Sequence, residues 1–426
     1  MRRPGQTYSF GDFRLDTARR ALLSRADGRP VLLSPPVFDT LLYLVEHAGE
    51  LVERASLLEA VWPHVTVVGN SVSQSVSALR RALDDDAAIP RYVSTVSGRG
   101  YRFVAEVINE DAILHDPEAY QLYVLGWSAM SRPGGKNLEA ALEYFQRAVA
   151  RDPEFALAHA CIADCYTMLC VHSLRPVEEV VSKARLAADR AMQIDPGLPE
   201  VHVARANLQV IVEQDHAAAF KTLLHAVALD PFCFSAHRYL GLNRLSCGVF
   251  DEALAALRRA QAIQPLALYV NGNIGMVLHF AGRYEEAVAQ LELTLRIDPE
   301  FEVPRVFLGF SLLQLGQFER AIAELERAPK TLQGHRSYLA VAWALSGRPE
   351  AARATLAGLL KNPVVRPFDA AQIHAVLGED EESLIWLERA VEARVFGFFA
   401  VDPLFRGLRE HPKFQALVER LNLRAR

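Results

Sequence analysis

The sequence predicts a mostly α protein in two parts, a small α+β domain followed by a long α-solenoid. Three observations carry that prediction. Glycine recurs at a step of 34 residues, at Gly248, Gly282 and Gly316, and the same step relates Phe250, Tyr284 and Phe318, Ala253, Ala287 and Ala321, and Pro231, Pro265 and Pro299. A fixed period of that length marks stacked helical hairpins. The N-terminal stretch up to Leu33 instead carries short apolar runs around the turn dipeptide Asp27-Gly28, as a small antiparallel sheet does. Finally, 426 residues exceed what one ordinary hydrophobic core serves.

Composition narrows the class. Apolar residues at 51% and charged residues at 23% describe a globular chain, not a disordered one. A net charge of −5 argues against coating nucleic acid by charge alone, although one modestly basic face is enough for a specific reader of DNA. Residues 1–107 hold thirteen arginines, no lysine and twelve acids, so the balance there is slightly basic. No run approaches the ~18 consecutive apolar residues of a membrane span. No apolar segment follows Arg2 and Arg3 as it would in a signal peptide. Five cysteines without framework spacing point to a reducing, cytoplasmic setting.

Within residues 1–107, Tyr8, Phe10, Phe13 and Leu15, then Ala21-Leu22-Leu23, then Val31-Leu32-Leu33 read as strands. A first helix starts at Ser34-Pro35-Pro36, with serine as N-cap and proline in the first turn. Val37, Phe38, Leu41, Leu42 and Val45 then keep helical spacing until Gly49. A second short helix carries Leu57, Leu58, Val61 and Trp62 and ends at Pro63. A third runs from Asn70-Ser71 to Leu83, with Val72, Val76, Leu79 and Leu83 on one face and Ser73, Gln74, Ser77, Arg80 and Arg81 on the other. Small polar groups and arginines suit a helix lying in a major groove. Two further strands flank Ser97-Gly98-Arg99-Gly100, a hairpin whose tip offers Arg99, while Asp84-Asp85-Asp86 reads as a solvated helix end.

These residues resemble the OmpR/PhoB-type winged helix-turn-helix family. The matching pattern is Leu33-Ser34-Pro35 with Phe38, Gly49-Glu50-Leu51-Val52, Leu57 through Val61-Trp62-Pro63, Asn70-Ser71-Val72, Leu79-Arg80-Arg81-Ala82-Leu83, and Thr95-Val96 through Gly98-Arg99-Gly100-Tyr101-Arg102-Phe103. The resemblance implies a third helix in the major groove and a β-hairpin wing beside it. It also implies DNA contacts from Asn70, Ser71, Ser75, Ser77 and Arg80, with Thr95 and Tyr101 from the wing. Ser73, Gln74, Arg81 and Arg99 join this set from the polar faces described above. Where the family often has basic residues, this chain has Ser75, Ser77, Ala78 and Ser97. That loss of phosphate-neutralising charge favours binding as a homodimer or at tandem sites.

After a short linker at 108–116, residues 117–401 read as about eight helical hairpins resembling tetratricopeptide repeats, and 402–426 as a capping helix. In each repeat the glycine ends the first helix, and a small alanine lets the second approach it. A proline then restarts the next unit behind an aspartate N-cap, as at Asp152, Asp195, Asp230 and Asp298. The whole resembles bacterial CadC-like winged-helix regulators without their membrane span. Groove positions map to Arg238, Leu242, Leu245, Tyr269, Met276, His279, Val303, Val306, Phe310 and Leu313. This largely apolar surface would take a peptide, a partner protein or an apolar effector. A register error of one residue would turn the same positions into core between repeats.

Other chemistry finds little support. Cys161, Cys165 and Cys170 near His159 and His172 fit small buried hydrophobes better than a thiol sensor or metal site. HExxH, Walker A and GxSxG motifs are all missing, so neither an enzyme nor a cofactor is expected. The sequence therefore points to a one-component regulator: double-stranded DNA is bound by the winged helix, and a signal is received by the repeats. The alternative is a repeat scaffold whose winged helix binds protein.

Overall fold

The computed structural model describes residues 6–423 apart from 18–19, 63–70, 111–114, 131–134, 172–173, 266, 300, 330–333, 362–365, 395–397 and 422. It divides into two units, Met1–Val124 and Leu125–Arg426.

In the first unit the elements follow as β1 (Thr7–Phe10), β2 (Phe13–Asp16), β3 (Ala21–Ser24), β4 (Pro30–Val31), α1 (Pro35–Glu46), β5 (Val52–Glu53), α2 (Arg54–Val61), α3 (Ser71–Leu83), β6 (Val93–Val96), β7 (Gly100–Phe103) and β8 (Ile108–Asn109). One antiparallel sheet has the order β4-β3-β2-β1-β8, and a smaller one β5-β7-β6. The core between them joins Phe10, Leu15 and Leu22 to Phe38, Leu41, Val76, Leu79, Tyr92 and Phe103. Phe10 meets Phe103 edge-on at 5.1 Å between ring centroids and Tyr92 at 5.9 Å.

Two local expectations change. The Ser34 side chain makes no capping bond to α1. Proline occupies the second helical position, so one of the two N–H groups an N-cap normally meets does not exist. Asp85 is not solvated: it is buried, and its Oδ1 accepts from the backbone N–H of Arg91 (2.6 Å) and Tyr92 (3.1 Å). Its Oδ2 accepts from Val93 N–H at 2.8 Å. One carboxylate thus satisfies three donors where the chain leaves α3 and enters β6.

The segment expected as a linker also begins inside the sheet. Ile108 and Asn109 pair with β1, and Glu110 accepts from Ser9 Oγ and, at 2.8 Å, from Arg14 Nε. Asp116 then caps the next helix, α4 (Pro117–Met130), through Glu118 and Ala119 N–H, each at 3.0 Å. Gln6 Nε2 donates to the Tyr120 hydroxyl.

From α4 onward the described helices form eight successive pairs. The partners are α5 (Gly135–Arg151), α6 (Ala156–Val171) and α7 (Val177–Ile194), α8 (Pro199–Leu208) and α9 (His216–Leu229), α10 (Phe234–Ser246) and α11 (Phe250–Ile263), and α12 (Leu268–Phe280) and α13 (Tyr284–Ile297). Next come α14 (Glu302–Gln314) and α15 (Phe318–Arg327), α16 (His335–Leu345) and α17 (Pro349–Leu360), and α18 (Pro367–Val376) and α19 (Asp380–Glu392). A 3-10 turn, Pro403–Leu408, and α20 (Pro412–Arg420) close the chain.

The repeated glycines end the first helix of the fourth, fifth and sixth pairs in the left-handed region, with φ of +70° at Gly248, +75° at Gly282 and +72° at Gly316. The residue after each donates to the carbonyl five positions back, as Arg283 N–H does to Leu278 O at 2.9 Å. A second glycine series, Gly241, Gly275 and Gly309, keeps the same step. A Cβ placed on Gly241, Gly275 or Gly309 would sit 2.5–2.6 Å from Leu257, Leu291 or Leu325 on the paired helix.

The repeat aspartates take a different role from the one expected. Asp195, Asp230 and Asp298 stand at the C-terminal end of one hairpin, and the N-cap positions of the next helices fall on Leu198, Cys233 and Phe301, none of which makes a side-chain capping bond. Each of Asp152, Asp195 and Asp230 accepts from the N–H two residues on, closing an Asx turn. The following proline and bend residues come before the new helix, so the aspartate lies too early to cap it.

The end of the chain returns onto earlier repeats. Phe398 meets the Phe280 ring at 5.5 Å, and Val401 joins the core of the middle repeats. Asp402 is buried, accepts from Gln372 Nε2 at 2.9 Å and caps the 3-10 turn through Leu404 N–H. Gln214 Nε2 donates to Val391 O at 3.3 Å, joining the third hairpin to the eighth.

Candidate nucleic-acid interface

Helix α3 forms because its apolar positions, Val72, Val76, Leu79 and Leu83, fall on one stripe and are buried against α1 and the sheets. Its other side presents Gln74, Ser77 and Arg81 to solvent, with Ser71 and Ser73 half-buried. Ser75 is buried, contrary to expectation. It lies three residues after Val72 and four before Leu79, inside the stripe. Asn70 lies outside the described residues.

The hairpin β6–β7 turns through Gly98, at φ +72°, and exposes Thr95 and Arg99. Tyr101 is buried: it faces the core side of β7 with Phe103, and its hydroxyl donates to Ser73 Oγ at 3.3 Å. Arg80 is half-buried. Its Nη2 donates to Val93 O at 2.6 Å and to Thr95 Oγ1 at 2.9 Å, and its Nε to Val93 O at 3.2 Å. This side chain fastens α3 to the hairpin. Gln74, Ser77 and Arg81 on the helix and Arg99 on the wing are thereby tied to one another through Arg80.

Two residues that the sequence reading passed over also shape this face. Arg54, exposed at the start of α2, places its guanidinium 5.7 Å from the Tyr101 ring centroid. Asp85 sets where β6 begins, and so where the wing stands relative to α3. Neither has a periodic signal, since each acts through a contact with a remote strand.

The groove expected in the repeats is largely interior. Leu245, Met276, His279, Val306, Phe310 and Leu313 are buried in the core shared by successive hairpins. Arg238, Leu242 and Tyr269 are half-buried, and Val303 is exposed. Adjacent helix positions differ by about 100°, so a one-residue shift carries a groove position into the packing between repeats.

His279 illustrates the consequence. Its ring packs among Phe280, Phe307 and Phe310, and its Nδ1 lies 3.0 Å from Ser311 Oγ. Burial pushes its pKa down to about 3. An unfolded histidine, near 6.5, takes up a proton that the folded one refuses. This group therefore removes stability as pH falls below about 6.5, by up to ~1.4 kcal/mol per pH unit. Denaturant unfolding at pH 7 and pH 4.5 checks this. The loss on acidification is expected to be about 2 kcal/mol smaller in His279→Phe than in the parent chain.

Cys161, Cys165, Cys170 and Cys233 are buried. Burial raises every one of these thiols, Cys170 to about 11 and Cys233 to about 12, so thiolate chemistry is suppressed. Among the described residues no cluster could hold a metal ion, and no helix is long and apolar enough to cross a membrane.

Comparison with known proteins agrees with this geometry. Residues 28–103 match the family described as transcriptional regulatory protein, C terminal, and residues 248–300, 278–342 and 333–357 match tetratricopeptide repeats. The chain thus carries an OmpR/PhoB-type DNA-binding domain followed by tetratricopeptide repeats. It is 39% identical over 83 residues to the transcriptional activator CadC of Escherichia coli (strain K12), a stretch covering 19% of this chain and 16% of that protein. To the transcriptional regulator HilA of Salmonella typhimurium it is 30% identical over 135 residues, or 32% of this chain and 24% of that protein. The chain spans about a quarter or less of the length of these relatives. The structure titled human IFIT1 dimer with m7Gppp-AAAA has a TM-score of 0.50 at 14% identity, covering 85% of this chain and 96% of that one, a likeness of fold alone.

Proposed function

We propose that the chain is a sequence-specific DNA-binding transcription regulator of one-component type. The N-terminal unit occupies an operator, and the repeat array receives an effector or partner protein or mediates self-association. The observation that carries this reading is the Arg80 clamp, which holds the polar face of α3 and the wing tip at a fixed offset. In this reading Gln74, Ser77 and Arg81 meet the major groove and its phosphates, with Ser71 and Ser73 at the first turn. Thr95 and Arg99 meet the neighbouring backbone or minor groove. Ser75, Tyr101 and Arg80 act from behind, by fixing the surface. Two copies on adjacent half-sites supply the affinity that the missing basic residues withhold.

The test is a genomic DNA pull-down with the full chain and with an Arg81→Ala/Arg99→Ala variant. Sites sharing a motif, lost in the variant, support the regulator. Lack of enrichment at low salt with the fold intact supports a protein-binding scaffold. On an enriched site, Arg99→Ala is expected to lower the slope of log affinity against log salt by about one. Arg80→Ala is expected to cost more affinity than Arg99→Ala, because it frees the wing; salt-dependent binding titrations check both.

A further inference from the structure

The same inner-helix positions that are apolar in the middle repeats turn polar in the earlier ones. On α6, α8, α10 and α12, the first helices of hairpins two to five, one connected strip runs across four repeats. Asn207 Nδ2 donates to Asp164 Oδ1 at 2.8 Å. Tyr239 is a neighbour of both Asn207 and Arg238, which partly offset the rise that burial imposes on its hydroxyl. Arg238 Nε donates to Asn273 Oδ1 at 3.2 Å, and its guanidinium lies 4.8 Å from the Tyr239 ring centroid and 5.7 Å from that of Tyr269.

The strip carries two opposite charges, Asp164 and Arg238, that feel each other but form no ion pair. Among the described residues, neither Asp164 nor Arg238 has an ion-pair partner within 4.0 Å. Asn207, beside Asp164, and Asn273, on the far side of Arg238, are buried, whereas Asp164 and Arg238 are half-buried. Burial raises the Asp164 carboxyl to about 6, an effect that the Asn207 amide and the more distant Arg238 charge only partly offset. Charges removed from water and left unpaired are costly, and their natural complement is a molecule that brings both counter-charges.

We propose that this strip binds a small zwitterion of amino-acid or short-peptide type, its ammonium at Asp164 and its carboxylate at Arg238. Asn207 meets the polar groups between, Asn273 holds Arg238 from the far side, and Tyr269 and Tyr239 flank the carboxylate end. The proposal rests on reading the array as the half of the molecule that receives a signal.

The test is calorimetry and thermal unfolding of the full chain with α-amino acids, ω-amino acids of increasing length, and di- and tripeptides. The chain-length series identifies which spacing fits. Binding is expected for one spacing class and should weaken at least about tenfold when the ligand is N-acetylated or C-amidated. Asp164→Asn should abolish discrimination against the acetylated ligand, and Arg238→Gln discrimination against the amidated one. The inference is overturned if the folded chain binds no zwitterion at up to about 10 mM, or if capped ligands bind as well as free ones. DNA binding measured on the same preparation separates the two readings. Intact DNA binding without a zwitterion overturns only this inference. Zwitterion binding that leaves DNA occupancy unchanged upholds the site and overturns its role as a signal input.

Discussion

Replacing Asp85 with alanine is expected to destabilise the N-terminal unit by about 3 kcal/mol, since three backbone donors, two of them buried, lose one charged acceptor. That is a large share of the stability of a small domain. The effect should be local in origin. Amides of β6 and β7 should exchange with solvent about a hundredfold faster, and DNA binding should weaken with them. Asp85→Asn should fall between the two, because its one carbonyl oxygen can keep the Arg91 and Tyr92 donors while its NH2 group faces the Val93 N–H. Hydrogen exchange of the full chain followed over residues 71–103 decides the matter. Unchanged protection in Asp85→Ala would mean that the turn is held by the core aromatics alone.

The second large effect is expected at Gly275. A methyl group there would stand 2.5 Å from two carbons of Leu291, so Gly275→Ala forces the two helices of the fifth hairpin apart, at about 2–3 kcal/mol. Gly282→Ala meets nothing within 4 Å and bears only the strain of φ +75°, about 1 kcal/mol. Urea unfolding should therefore rank two glycines of one hairpin in opposite order to their prominence in the sequence. Combining Gly275→Ala with Leu291→Ala should cost less than the sum of the two, because the cavity left by one substitution accommodates the other. Strict additivity would show that the two side chains do not share that space.

What the sequence made legible follows the range of each interaction. Helix α3, the wing and the helical hairpins are written in local spacing, so their existence and order could be read directly. Ser75 was misplaced because its chemistry suggested the outer face while its phase put it inside the stripe. Tyr101 was misplaced because a family role says nothing about which side of β7 bears the ring. Asp85 sat in an acidic run whose other members are exposed, and only the return of residues 91–93 gives it partners. In the repeats, the 34-residue period was read through the turn glycines, yet the Gly241, Gly275 and Gly309 series carries the same period and a tighter constraint. The polar strip lies where the groove positions continue toward Asp164 and Asn207.

The return of the chain end onto earlier repeats changes how the array should come apart. A linear stack of repeats is quasi-one-dimensional: units fray from the ends and can be added or deleted with little effect on distant ones. Here Phe398 rests on Phe280, and Val391 is tied to Gln214. The last units therefore have partners far behind them in sequence. Unravelling from the C-terminus would expose the fifth hairpin as well as the eighth, so the array should melt as one cooperative block. The number of repeats is fixed for the same reason: one hairpin more or fewer would carry the closing segment past the residues that receive it.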